Sequence, residues 1–303
     1  MGHTHMSRKT MKKVLSTLPA LALVVGLIGA TEKQASAQEI QVTGPLKGAP
    51  AVRRLRLYRE GRIEIAPTFT STLLDEYRRT LAFGARINYG ITDWLAIGVW
   101  GSYGAVGLPT GLTDRIDDGA ERDPATPSLN LMNVSGAKGA GQFQKQVGAI
   151  NYILLPQITA VPFRGKFALF QSVFADVDAY IFAGFGVVGT KERADCTDFV
   201  ACANRDRAQP TLASKTKLAP TWGLGFNFYM SKAIALGVEW RMIPFAWNRA
   251  GFDSRGLNAE GKEDSGGKFP DGKIDDKDAT FKFNQMITVS LGFSFPTAPK
   301  VTD

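Results

Sequence analysis

The sequence predicts an all-β chain whose eight antiparallel strands close into a transmembrane barrel with three long extracellular loops. Three observations predict it. The run 280–295 alternates apolar and polar residues over its whole length: Phe281, Phe283, Ile287, Val289, Leu291, Phe293 and Phe295 on one face, interrupted only by Gln285, and polar or small residues on the other, interrupted only by Met286. Soluble strands usually run about 5–6 residues, whereas a tilted bilayer crossing needs about 9–11. Second, the links between such runs alternate short and long, the asymmetry of barrels with periplasmic turns and external loops. Third, the chain begins like an exported protein, yet no later charge-free apolar run approaches the ~18 residues of a membrane helix.

Residues 1–37 have the form of a secretory signal. Arg8, Lys9, Lys12 and Lys13 form a basic start, 14–30 is apolar and uncharged, and Ala35-Ser-Ala37 is a small-x-small cleavage site. Both histidines, His3 and His5, lie in this segment, so the mature chain would have none. It would carry 31 basic and 27 acidic residues, a net charge of +4, too weak to argue for nucleic acid. Residues 38–61 are expected to form a periplasmic leader, with a basic cluster at Arg53, Arg54, Arg56, Arg59 and Arg62 at its end.

Strands are predicted at 62–70, 79–91, 95–105, 147–161, 175–188, 218–229, 233–245 and 280–295, together the barrel domain 62–295. Each shows the same two-faced pattern: Leu81, Phe83, Ile87 and Tyr89 stand against Thr80, Gly84, Arg86 and Asn88, and Leu224 and Phe226 against Gly223, Gly225 and Asn227. Ile150, Tyr152, Leu154 and Ile158 are assigned to the outer face of the fourth. Asp93 marks a tight turn, and Pro162-Phe-Arg-Gly-Lys166 is expected to close another, with a short interfacial helix to follow. The long polar segments 106–146, 189–217 and 246–279 are external loops available to envelope partners. Cys196 and Cys202, the only cysteines, sit close together in the second. In an oxidising compartment that is most simply a disulfide; a metal site would need further ligands, and no histidine is at hand. Residues 296–303 form a C-terminal tail.

The signal, the alternating strands and the terminal Ile287-Thr-Val-Ser-Leu-Gly-Phe-Ser-Phe295 together resemble the small outer-membrane barrels of Gram-negative bacteria, the outer membrane protein A-like and X-like class. The resemblance covers about 62–295. It implies an outer-membrane location, contact with outer-membrane lipid, and recognition of Phe293 and Phe295 by the barrel-insertion machinery. Pro162-Phe-Arg-Gly-Lys166, with Asp176-Val-Asp-Ala-Tyr180 and Ala183-Gly-Phe-Gly186, is similar to barrel domains common in myxobacteria, some of which belong to envelope or gliding-motility assemblies.

The inward faces gather four basic and four acidic residues: Arg62, Arg86, Arg241 and Lys282 against Glu64, Asp176, Asp178 and Glu239. An eight-stranded barrel is only wide enough for side chains to fill it, and buried charges must pair or cost several kcal/mol each. The expectation is therefore a lumen plugged by ion pairs, in a non-enzymatic barrel that serves envelope structure or anchors a complex. The alternative is a small passive channel or ligand-binding barrel. Enzymes of this barrel class resemble one another in using histidine as base or orienter, which makes a lipid-modifying enzyme the remotest reading. No cofactor, metal site or catalytic set is expected. The acidic run Asp271-Gly-Lys-Ile-Asp275-Asp276-Lys-Asp278 lacks calcium-loop spacing and carries two opposing lysines.

Overall fold

The structure is a computed structural model. It describes residues 59–119, 129–131, 142–169, 173–198, 201–202, 210–264 and 266–297. The chain divides into two units, Met1–Val52 and Arg53–Asp303. The expected signal peptide, the leader up to residue 58 and the tail beyond 297 lie outside the described residues.

The elements are β1 (Ile63–Leu73), β2 (Arg78–Gly90), β3 (Leu95–Pro109), α1 (Gly111–Gly119), α2 (Gln142–Gln146), β4 (Ala149–Leu169), β5 (Val173–Arg193), β6 (Leu212–Tyr229), β7 (Ile234–Trp247), β8 (Gly256–Leu257), β9 (Phe269–Pro270) and β10 (Thr280–Phe295). Eight of them form a closed antiparallel ring in the order β1-β10-β7-β6-β5-β4-β3-β2, and β8 and β9 pair separately within a loop. Closure is made by β1 on β10, from Ile63 opposite Phe295 to Leu73 opposite Gln285. A closed ring leaves no edge along its circumference where all eight strands overlap, which hydrocarbon demands; strands that run past the ring, as β3 and β4 do, are paired on one side there.

The period-two patterns set the faces. Phe83, Ile87, Ile158 and Ile181 are each more than half exposed, while Arg86, Glu239 and Arg241 are buried. Outward side chains touch only one another along the surface, as Phe69 and Phe83 do with ring centres 5.1 Å apart, and otherwise face the lipid expected around the barrel. Gln285, the polar exception on the outward face of β10, accepts a hydrogen bond from the Trp240 indole at 3.2 Å on neighbouring β7, so its carbonyl is satisfied without water.

Three expectations are corrected. Pro162-Phe-Arg-Gly-Lys166 does not turn: β4 continues to Leu169 and β5 begins at Val173. The pairing of β3 with β4 ends at Leu95 and Ala160, so Pro162 sits where the strand has an open edge, and a register shift between Ala160 and Phe163 absorbs it. A proline without N–H is tolerated at such a place. The hairpin thus runs past the ring, with Arg164 opposite Asp178 and Lys166 opposite Asp176 in register. Second, Ile150 is buried rather than outward, because a register shift between Ile150 and Tyr152 reverses the side-chain parity at the start of β4. Third, the strands reach further into the loops than expected, and the described parts of the loops carry elements of their own. β5 and β6 extend to Arg193 and from Leu212, β7 extends to Trp247, and α1, α2 and the β8–β9 hairpin occupy the outer connections.

These outer connections bond to one another over the barrel mouth. Gln146 donates to the carbonyls of Asn130 and Ala250, and Arg193 donates to those of Leu129 and Gly251. Buried Glu192 accepts from the Asn248 N–H at 2.9 Å. Asp278 gathers the N–H groups of Ser254, Arg255 and Asp275. Burial pushes its carboxyl up in pKa, against the pull of those three donors. Tyr77, Phe143 and Phe252 pack ring against ring with centroids 5.6 to 6.3 Å apart. Cys196 and Cys202 form a disulfide with Cα atoms 5.9 Å apart, and Cys196 exchanges two 2.7 Å backbone hydrogen bonds with Ile274 from the third loop.

Candidate functional site

The interior is where this sequence places its chemistry. Glu239 and Arg241 are alternate residues of β7 and so share the inward face; Arg86 comes from β2, Glu64 from β1 and Tyr180 from β5. Arg86 donates to Glu239 Oε2 at 2.8 Å, to Glu64 Oε1 at 2.8 Å and to the Tyr180 hydroxyl at 2.6 Å. Tyr180 in turn donates to Glu239 at 3.2 Å. Arg241 donates to Glu239 Oε1 through Nη2 at 2.7 Å and Nε at 3.0 Å, to Gln157 at 2.7 Å and to Thr221 at 3.2 Å. Its guanidinium lies 4.4 Å from the Trp100 ring centre and 4.1 Å from that of Phe182. The group holds two positive and two negative charges, and Glu239 is shared by both arginines. Desolvated charges tolerate burial only when paired and hydrogen-bonded in this way.

Glycines on β6 make room for the aromatic members. A Cβ at Gly225 would collide with the Tyr180 ring, and one at Gly223 with the Phe182 ring. Toward the outer end an apolar layer follows, in which Trp100, Leu155, Ile243, Phe245, Trp247 and Met286 are buried together. Toward the periplasmic end lies a cavity of ≈ 40 Å³ bordered by Glu64, Arg86, Tyr180 and Tyr229. That is room for about three water molecules, at ~10–15 Å³ each.

The other sequence-predicted interior residues stand apart from this cluster. Arg62 is at the periplasmic rim, where it donates to the carbonyls of Pro296 at 3.2 Å and Lys232 at 3.0 Å. It ties the start of β1 to the exit of β10 and to the β6–β7 turn. Asp178 pairs with Arg59, which also donates to the Tyr229 hydroxyl at 2.6 Å. Asp176 is half-buried at that same end. Lys282 is at the opposite rim, paired with Glu76 at 3.1 Å. Phe293 is half-buried and Phe295 exposed on the outward face near the β1 seam.

Sequence reasoning assigns Tyr180 to the inward face but not to the charge cluster, and it does not single out Arg59, Gln157 or Phe182. Arg59 belongs with the basic leader, and nothing in its neighbourhood marks it as reaching the barrel. Gln157 and Phe182 lie on the inward parity of their strands. Among the described residues there is no group of three or more His, Cys, Asp or Glu side chains placed to hold a metal ion.

A closed antiparallel ring with an uncharged apolar belt outside and paired polar groups inside defines the class: a transmembrane β-barrel of the bacterial outer-membrane type. Among the described residues no helix is long and apolar enough to cross a membrane; the crossing is made by strands. Comparison with solved structures finds similarity to the N-terminal β-barrel domain of Pseudomonas aeruginosa OprF, at 8% identity over 78% of this chain and 98% of that one, TM-score 0.37. The chain is also similar to Ail, the attachment invasion locus protein of Yersinia pestis, at 13% identity over 78% and 99%, TM-score 0.28. A third likeness is to Neisserial surface protein A, at 8% identity over 77% and 93%, TM-score 0.31. No protein-family model matches, and no curated protein does.

Proposed function

We propose that this chain is a non-enzymatic outer-membrane barrel with a plugged lumen, serving envelope structure or anchoring a partner. The observation that carries the reading is the neutral Glu64–Arg86–Glu239–Arg241 group lying in series with the apolar layer around Trp100 and Trp247. Buried ion pairs stacked on a buried apolar layer support a lumen that a hydrated ion does not cross. The absence of histidine after residue 5 removes the usual base of barrel hydrolases and transferases. Partners would meet the outer surface of loops 106–146, 189–217 and 246–279, or the hairpin tip beyond Val161.

Planar-bilayer recording of the folded full chain tests it. A plugged lumen gives no steady current. Stepwise conductance that changes in Arg86→Ala or Glu239→Ala would favour the passive channel instead. For the anchor role, removal of one outer loop at a time is expected to abolish co-purification of a defined envelope partner; turnover by the purified barrel would refute the non-enzymatic reading.

A further inference from the structure

We propose that the outer rim carries a binding site for a phosphate group, built from Arg78 and Lys145. The site arises from unequal strand lengths. β3 is paired with β2 out to Pro109 opposite Arg78, but its pairing with β4 stops at Tyr103 opposite Tyr152. The last residues of β3 therefore lack a strand on that side. In the gap lies a cavity of ≈ 370 Å³ between the ends of β2 and β3 and helix α2, bordered by Tyr77, Arg78, Gly107, Pro109, Gln144 and Lys145. Ligand sites for small molecules span about 300–1,000 Å³, so a phosphorylated head group of sugar size fits.

Its electrostatics point to an anion. Arg78 is half-buried and lies across Gly107, where any Cβ would collide with the guanidinium. Its Nε is buried with no acceptor, as are those of Arg86, Arg193 and Arg249, but those three have acceptors at their other guanidinium nitrogens, whereas among the described residues Arg78 has no carboxylate partner. Lys145 is exposed and has none either. The neighbouring carboxylate, Asp114, accepts from the Gln144 side chain at 3.4 Å instead. The contrast is internal to the molecule: Arg59, Arg62, Arg86, Arg241 and Arg249 each have an acceptor. A partly desolvated guanidinium left without a counter-charge is costly. A phosphate oxygen pair matches its fork, and a nearby ammonium adds a point charge. The phosphate would come from an outer-leaflet lipid or from a soluble phosphorylated sugar; the chemistry at Arg78 is the same.

The test uses the full chain, folded in phosphatidylcholine vesicles at low salt, and reads binding of glucose 1-phosphate by calorimetry. In parallel, the unfolding midpoint is compared in vesicles with and without phosphatidic acid. Arg78→Gln is expected to weaken binding, or to cut the lipid-induced rise in affinity terms, by roughly tenfold. Lys145→Gln, an exposed change that leaves the fold alone, is expected to weaken it about threefold, and Lys262→Gln on an exposed loop to change nothing. A response to glucose 1-phosphate identifies a soluble source, and a response to phosphatidic acid alone identifies the lipid. No response to either probe, or a response equal in wild type and in the Lys145→Gln and Arg78→Gln variants, overturns the proposal. Bilayer conductance does not bear on this site, so it stands or falls apart from the plugged-lumen reading.

Discussion

Glu239 is the residue on which the interior charge balance turns. It is 2% exposed and is the shared acceptor of Arg86 and Arg241. Replacing it with Gln keeps the shape but leaves two guanidinium groups with one carboxylate, Glu64, which pairs with Arg86 and leaves Arg241 without a counter-charge. Breaking a buried pair by removing one partner costs about 3–5 kcal/mol; the Glu239→Gln barrel should lose that much in urea titration followed by heat-modifiable gel mobility. The paired change Glu239→Leu with Arg241→Met leaves Arg86 with Glu64 and restores neutrality, so it should recover most of the loss. Should the paired variant prove as unstable as the single one, charge balance is not what matters there. On the outside the same logic runs in lipid. Trp240→Phe strips Gln285 of its only donor and should cost about 1 kcal/mol. Adding Gln285→Leu removes the stranded carbonyl and should return stability to near wild type in the same titration.

At the scale of elements, the described parts of the outer connections bond to one another as a cap, and their stability can be probed without touching the barrel. Cys196–Cys202 closes a small loop whose Cys196 backbone holds Ile274 from the third connection. Chain-entropy arguments give a cross-link of this size about 2 kcal/mol. Cys196→Ser with Cys202→Ser should therefore speed hydrogen exchange at the Ile274 amide by roughly 30-fold, while amides of β10 stay protected. Unchanged exchange at Ile274 would show that the contacts around Asp278 hold the cap alone. What the sequence made legible divides along the same line. Strand faces were readable because lipid on one side and a narrow lumen on the other impose strict alternation, and one register shift moved only Ile150. Depth was not readable. Parity puts Lys282 and Glu239 on inward faces alike, but Lys282 ends at the rim with Glu76, since height depends on strand stagger, which composition does not encode. Nor was the β4–β5 turn, because Pro162 and Gly165 carry turn chemistry yet sit on an edge where a strand tolerates them. The cap was opaque for a third reason. Its hydrogen bonds join backbone and side chains over long separations, as from the Ser254 N–H to the Asp278 carboxylate, and leave no local period.

For the whole molecule, the proposed closure has two barriers in series, the interior layers and the cap above them, and they can be removed separately. The interior barrier is built on rigid strands: Trp100 from β3, Phe245 and Trp247 from β7 and Arg241 between two rings. The cap is built on connections that close the mouth through backbone and side-chain hydrogen bonds. Replacing 256–270, which includes β8 and β9, by a short Gly-Ser linker should leave the strands intact, because β8 and β9 pair with each other and not with the ring, and the ion pair lost with Glu263 is an exposed one to Lys273 in the same loop. If closure resides in the lumen, this barrel should remain silent in planar bilayers, although protease should now cut the outer connections. The converse variant, Trp100→Ala with Phe245→Ala and Arg241→Ala, empties the layer where the barrel is filled. Large-to-small changes of buried aromatics cost about 3–5 kcal/mol each, so it must be recorded only after heat-modifiable mobility shows a folded ring. With the ring intact, brief conductance steps are expected, because Glu239 is then uncovered and water reaches it from the periplasmic cavity beside Glu64 and Arg86. Silence in the interior variant together with current in the loop variant would place the barrier in the cap, and would mean that the ion pairs position strands without closing anything.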